Sequence, residues 1–196
     1  MSDRISQIKK SFLWWPCILS LITIGLDQWS KEATIAASNN TPGAFVKVII
    51  DNFFYLTDHR NTGAAWGMFQ DNPLPLSFVS LAAAIYFIWD FPALTENSKF
   101  RKFAWGLLIG GVLGNWIDRL FRREVIDMIG VYIPIPGQDT PYAFPIFNIA
   151  DSAICVGVFL YFIHTIFFGT KNSDDQEDIE SGNNGEQNLS KSEAQA

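Results

Sequence analysis

Apolar residues run almost unbroken through four stretches of the chain, roughly Phe12 to Leu26, Leu74 to Phe91, Phe103 to Ile117 and Ile149 to Phe168. Several are slightly shorter than the ~20 residues that cross a hydrocarbon core, so their ends would recruit flanking polar residues. One such stretch fits a core helix of a soluble protein. Four in 196 residues, separated by charged or turn-rich segments, predict a multi-pass membrane protein with spans at about 12–31, 74–91, 103–121 and 149–168. Between the first two the pattern changes. FVKVII (45–50) and FFYLT (53–57) are β-branched and aromatic around Asp51 and Asn52, which predicts a short strand pair. RNTGAAWGMF (60–69) opens on a turn signal and continues into a small-residue helical start. Between the last two spans, VYIPIPGQDTPYAFPIF carries Pro134, Pro136, Pro141 and Pro145, and predicts a loop, ordered or mobile, rather than a helix. No internal repeat is evident.

Composition sharpens this picture at the ends. The chain is 48% hydrophobic, yet its mean hydropathy is only +0.13. The average hides a polar tail from Lys171 onward, where seven acids face two lysines and account for five of the six net negative charges. That tail has too little apolar surface to offset its chain entropy, and a disordered cytoplasmic segment over 171–196 is expected beside a membrane domain over 1–170. Arg4, Lys9 and Lys10 before the first apolar run also describe a secretory signal peptide, but no A-x-A site follows, and an uncleaved first span is the reading adopted. With Lys99, Arg101 and Lys102 they place both termini in the cytoplasm and segments 27–73 and 118–148 outside. Arg119, Arg122 and Arg123 then fall on the outer side, against the rule; either they weaken this topology or they have a role there. Cys17 and Cys155 sit in apolar spans and make neither a disulfide framework nor a metal cluster.

The candidate chemistry is acidic. Asp27, Asp118, Asp127 and Asp151 lie near span ends, with Lys31 and Arg119 as nearby bases. Each could be no more than an interfacial charge in contact with headgroups. Asp127 stands out because Val125, Ile126, Met128 and Ile129 surround it, and burial of that kind raises a carboxyl pKa. Asp151 has Ala150 and Ala153 beside it and Asn148 three residues before. Two such acids on one outer face suggest a dyad sharing a proton, able to activate water and polarise a peptide carbonyl together. Spacing alone does not bring them into contact. In the third span Gly110 and Gly114 form a G-x-x-x-G pair that admits a close helix, and Asn115 and Asp118 share a face beyond it. No H-E-x-x-H, G-x-S-x-G, P-loop or basic tract is present, which argues against a zinc peptidase, a serine hydrolase, an NTPase and a nucleic-acid binder.

LDQWSK (26–31), RNTGAAWG (60–67), GGVLGNWIDR (110–119), EVIDMI (124–129) and FPIFNIADSAI (144–154) together resemble the lipoprotein signal peptidases (signal peptidase II) of bacterial membranes. The resemblance covers about residues 12 to 168. It implies an all-α membrane protein of four transmembrane helices, with a small extracytoplasmic β-cradle and a helix-bearing loop. The implied activity is aspartic endopeptidase cleavage of diacylated prolipoproteins just before the lipidated cysteine, at the extracytoplasmic face. It implies Asp127 and Asp151 as the catalytic dyad, with Asn148 supporting it. Asn115, Asp118 and Arg119 would shape the site, Arg119 as a binder of substrate backbone, and Asp27, Lys31, Asn61 and Gly63 match further family positions. Asp118 is the main rival for a catalytic label. No metal or cofactor is expected; the expected partners are the prolipoprotein and membrane lipids, not nucleic acid, and the chain is expected to be monomeric.

Two departures from the family pattern stand out: Met128 where Phe is expected, and a longer segment between the dyad acids, containing PIPGQDTPYA. The physics is consistent with the resemblance. A soluble protease would have to extract two acyl chains at ~0.8 kcal/mol per CH₂, whereas acids at helix mouths meet the substrate at the membrane surface. Trp14, Trp15, Trp29, Trp66 and Trp116 are placed as interfacial anchors. Two other classes stay open: a proton-conducting transporter, which would need charges nearer the bilayer centre, and an inactive homologue that binds lipoproteins.

Overall fold

The computed structural model describes residues 14–63, 73–96 and 98–168. The polar tail, the basic N-terminal residues and the helical start expected after Gly63 lie outside the described residues. The first apolar stretch becomes α1 (Trp14–Ala37), which runs past the expected end at Lys31. Its buried side is polar: Ser20, Thr23, Asp27, Lys31 and Thr34 recur at helical spacing and face the protein. Leu21, Ile22, Leu26 and Trp29 face outward, Trp29 with 70% of its surface exposed. This is the reverse of a water-soluble amphipathic helix. The continuous buried face carries the helix on until Asn39 and Asn40 adopt left-handed φ of 53° and 55° and the Asn40 N–H closes on the Ile35 carbonyl at 2.9 Å.

Strands β1 (Phe45–Ile50) and β2 (Phe54–Asn61) form the expected antiparallel pair, turned at Asn52 with φ 56°. Buried Asp58 accepts hydrogen bonds from Ser38 and Arg60, tying the end of α1 to β2. The second apolar stretch is split into α2 (Pro73–Trp89) and a short α3 (Phe91–Thr95). Helix α4 (Lys99–Phe121), capped by Ser98, returns toward the sheet, and α5 (Ile149–Phe168) leaves it again. Phe91 packs edge-on against Trp105 in the apolar cluster with Ile109, which joins α3 to α4. Of the helices, α5 is long and apolar enough by itself to cross a membrane; the apolar part of α2, Leu74–Trp89, is shorter.

Helix α4 is central because its small residues let two partners close in. A Cβ on Gly110 would lie 2.6 Å from the Thr23 Cβ of α1, and one on Gly111 would lie 2.4 Å from the Ala150 carbonyl of α5. The G-x-x-x-G pair thus receives α1, as expected, and Gly114 leaves room for the Asp27 carboxylate.

The proline-rich segment is not the plain loop its prolines suggested. Val125–Ile133 forms β3, which pairs with β2, and Tyr142–Ala143 forms β4, which folds back onto Tyr132 and Ile133. The sheet order is β1-β2-β3-β4, all antiparallel, so the all-α description holds for the bundle only. The β3–β4 hairpin lies within the segment that joins the two acids. At the far end of the bundle, two of the six cations used for orientation, Arg101 and Lys102, are buried, Arg101 pairing with Glu96 at 2.5 Å and Lys102 fully enclosed.

Candidate active site

The four candidate acids converge where the ends of α1 and α4, the start of α5 and strand β3 meet. Backbone pairing explains how residues far apart in sequence get there. Phe147 bridges Ile129 in antiparallel fashion, with N–H to O distances of 2.8 and 3.1 Å, so the residue after it, Asn148, arrives beside Asp127. Asn148 is the N-cap of α5: its Oδ1 accepts the Asp151 N–H at 2.8 Å, and Asp151 Oδ2 accepts the Asn148 N–H at 3.2 Å. This is the reciprocal capping box, and it places Asp151 in the first turn, where the helix dipole favours negative charge. The Asn148 amide then donates to Asp127 Oδ1 at 2.7 Å. A single asparagine therefore touches both acids.

Each acid has one further amide donor. Asn61 Nδ2 donates to Asp127 Oδ2 at 3.0 Å, and its own Oδ1 is held by the Gly63 N–H at 3.1 Å, a local turn that aims the side chain. Asn115 Nδ2 donates to Asp151 Oδ1 at 2.7 Å. Asp127 is 2% exposed. Burial first, then repulsion from Asp151, pushes its carboxyl up to about 7, against the opposing pull of Asn61, Asn148 and the Lys31 charge.

The other two acids are neutralised at contact distance. Asp27 Oδ2 meets Lys31 Nζ at 2.7 Å, and its Oδ1 accepts the Ala150 N–H at 3.0 Å. Asp118 Oδ2 meets Lys31 at 2.6 Å and accepts the Ile126 N–H at 3.3 Å, while its Oδ1 meets Arg122 and Gln28. Both are fully buried. With every oxygen engaged, Asp118 has nothing free to offer a substrate, so the geometry sets it apart from Asp127 and Asp151. Arg119 stands within electrostatic reach of Asp151, Asp127 and Asp118, and donates weakly to the Asn115 carbonyl at 3.4 Å. All ten residues singled out from the sequence thus lie in one connected site.

Two participants escaped the sequence reading. Gln28 links Asp27, Asp118 and the Gly114 carbonyl, and Arg122 joins Asp118 to Gln28 and Glu32. The only sequence signal was the excess of arginine on the outer side. Arg122 accounts for part of that excess as a partly buried counter-charge. Among the described residues no His, Cys, Asp and Glu grouping suits a metal ion.

Comparison with known proteins identifies the family. The family described as signal peptidase (SPase) II matches residues 19–167. A lipoprotein signal peptidase of Geobacillus thermodenitrificans is 40% identical over 156 residues, 78% of this chain and 90% of that protein. Two solved structures, each described as a bacterial membrane enzyme obtained by the in meso method, are both 33% identical. One aligns with TM-score 0.63 over 81% of this chain and 92% of its own, the other with 0.66 over 80% and 96%.

Proposed function

We propose that this chain, which belongs to the signal peptidase II family, is a membrane aspartic endopeptidase that removes signal peptides from diacylglyceryl-modified prolipoproteins, cutting just before the lipidated cysteine. The observation that carries the reading is the shared asparagine: Asn148 holds Asp127 and Asp151 together while, among the described residues, only neutral amides donate to them. Asp151, at a helix N-terminus, is the seat of negative charge and acts as the base that takes a proton from water. Asp127 keeps the shared proton and lends it to the scissile carbonyl. The water attacks, a tetrahedral intermediate forms, and the proton taken by Asp151 passes to the leaving nitrogen. Arg119 serves as a holder of substrate backbone, and Asn61 and Gly63 orient Asp127.

The four long helices are read as the membrane spans, with both termini cytoplasmic and the sheet and dyad extracytoplasmic. Support comes from α1, whose polar side is buried and whose leucines face out, and from the exposed phenylalanines of α5. In lipid that outward apolar surface costs nothing, and a diacylated substrate reaches the acids without leaving the bilayer.

Purified protein in micelles is expected to convert a diacylated prolipoprotein to a faster-migrating product whose new N-terminus is the lipidated cysteine by mass spectrometry. An unmodified prolipoprotein is left intact. Failure to cleave the diacylated form, or a cut elsewhere, overturns the assignment. The pH profile gives a second check. The mechanism needs a proton on Asp127, so kcat/KM should fall on the alkaline side with a limb near the value of about 7 that burial and Asp151 impose. A rate still rising at pH 9 contradicts the assignment of the acid.

A further inference from the structure

Lys31 is fully buried, and its ammonium has three acceptors: Asp27 Oδ2 at 2.7 Å, Asp118 Oδ2 at 2.6 Å and Asn115 Oδ1 at 3.1 Å. It donates to Asp27 and Asn115 and pairs with Asp118, and at 0% exposure it presents no surface to substrate. Each acceptor has a second contact, and each second contact leads to the dyad. Asp27 Oδ1 holds the N–H of Ala150, the residue before Asp151. Asp118 Oδ2 holds the N–H of Ile126, the residue before Asp127. Asn115 donates directly to Asp151 Oδ1.

We propose that Lys31 is a positioning residue for cleavage: with Asp27 and Asp118 it forms a buried brace that sets the separation of the two dyad carboxyls and fixes which way the Asn115 amide faces. The proposal rests on the dyad reading above. Asn115 Oδ1 receives both Lys31 and the Asn148 amide, the latter at 3.2 Å. Reversing the amide would set its NH₂ against two donors and its oxygen against the Asp151 carboxylate, so the ammonium keeps an N–H pointed at Asp151. The brace joins four elements. Lys31 and Asp27 lie on α1, Asp118 and Asn115 on α4, and the backbone they grip belongs to β3 and the first turn of α5. Stability gives no sufficient reason to build it. Apolar residues of similar volume often replace a buried ion cluster at no loss, because desolvation offsets most of the attraction. What apolar packing does not supply is directed hydrogen bonds to the residues just before each acid.

The test uses the full chain in detergent micelles with diacylated prolipoprotein, reading kcat, KM and the alkaline limb of the pH profile. Lys31→Met leaves buried Asp27 without a counter-charge and Asp118 with Arg122 alone, so Asp27→Asn/Lys31→Met/Asp118→Asn is run beside it. That triple variant is neutral at the brace and leaves Arg122 its pairing with Glu32. Misplacement of reacting groups by about 1 Å costs ~10²-fold, so kcat is expected to drop about that much in the folded triple variant, with KM within about twofold. The variant loosens the dyad, whose Asp151 repulsion holds the Asp127 carboxyl up, and removes the Lys31 charge that holds it down, so the alkaline limb shifts from its wild-type position. A folded triple variant with wild-type kcat overturns the proposal. So does a loss that merely follows the folded fraction with an unmoved pH profile. Asp127→Asn and Asp151→Asn run in parallel separate the two readings. If they still cleave, the dyad itself fails; if they are inactive while the brace variants cleave normally, only the brace falls.

Discussion

Asp127→Asn and Asp151→Asn each lower cleavage of a diacylated prolipoprotein by ~10²–10⁴-fold, the range supplied by a positioned acid or base. The two substitutions are close in shape to the originals. The carboxamide oxygen introduced by Asp127→Asn can still accept from one of the two amide donors there, and the one introduced by Asp151→Asn can still accept from Asn115. The bundle should therefore insert and remain folded. What is lost is the transferable proton or the charge that draws one from water. Because the pair acts as a unit, the double variant should be little worse than either single one. Asp118→Asn is an instructive companion. It weakens contacts to Lys31 and Arg122 and removes no group that faces substrate, so its loss should be the smaller. Wild-type cleavage by both dyad variants, measured by mobility shift and mass, would remove the basis of the proposed chemistry.

Gly111→Val is expected to be the most damaging change away from the acids. Even the first carbon added there lies 2.4 Å from the Ala150 carbonyl and 2.7 Å from Ile154 Cγ1, and backbone cannot rotate aside as a flexible side chain can. Helix α5 must move away from α4, and its first turn carries Asp151. Overpacking of this kind costs ~1–3 kcal/mol, visible as a lower Tm in detergent, and cleavage should fall further than the folded fraction alone explains. Gly25→Ala is the control. Nothing lies within 4 Å of a Cβ at Gly25, and alanine gains ~1 kcal/mol of helix propensity over glycine, so stability should hold or rise. A Gly111→Val protein as stable and as active as wild type would mean that the close approach of α4 and α5 is unimportant.

The helices were legible because long apolar runs leave few alternatives, and β1 and β2 because Phe45–Ile50 and Phe54–Thr57 are β-branched and aromatic around an Asp-Asn turn. Strand β3 was not. Its Asp127 and Gly130 depress strand propensity, prolines follow it, and its pairing partners are distant: β2 before it in the chain, β4 and Phe147 after it. Local pattern carries no information on such long-range pairing. The same limit governed the site. Among four acids near span ends, apolar or small neighbours set Asp127 and Asp151 apart in the sequence, and motif resemblance named them a dyad, but nothing there showed them in contact. Their different surroundings appear only in three dimensions, where Lys31 and Arg122 occupy Asp118 while, among the described residues, amides alone donate to Asp127 and Asp151. Gln28 and Arg122 were missed because a polar residue joining two helices carries no periodic mark.

The bridge between Ile129 and Phe147 has a consequence for how such chains drift over time. It shuts the outer hairpin off behind two strand residues, with Gly137 at φ 83° open to its surroundings. Residues added or deleted at that tip lengthen or shorten a spur and leave the closed base alone. Insertions can therefore accumulate there and reshape what the outer surface presents to its environment, at no expense to the chemistry beneath.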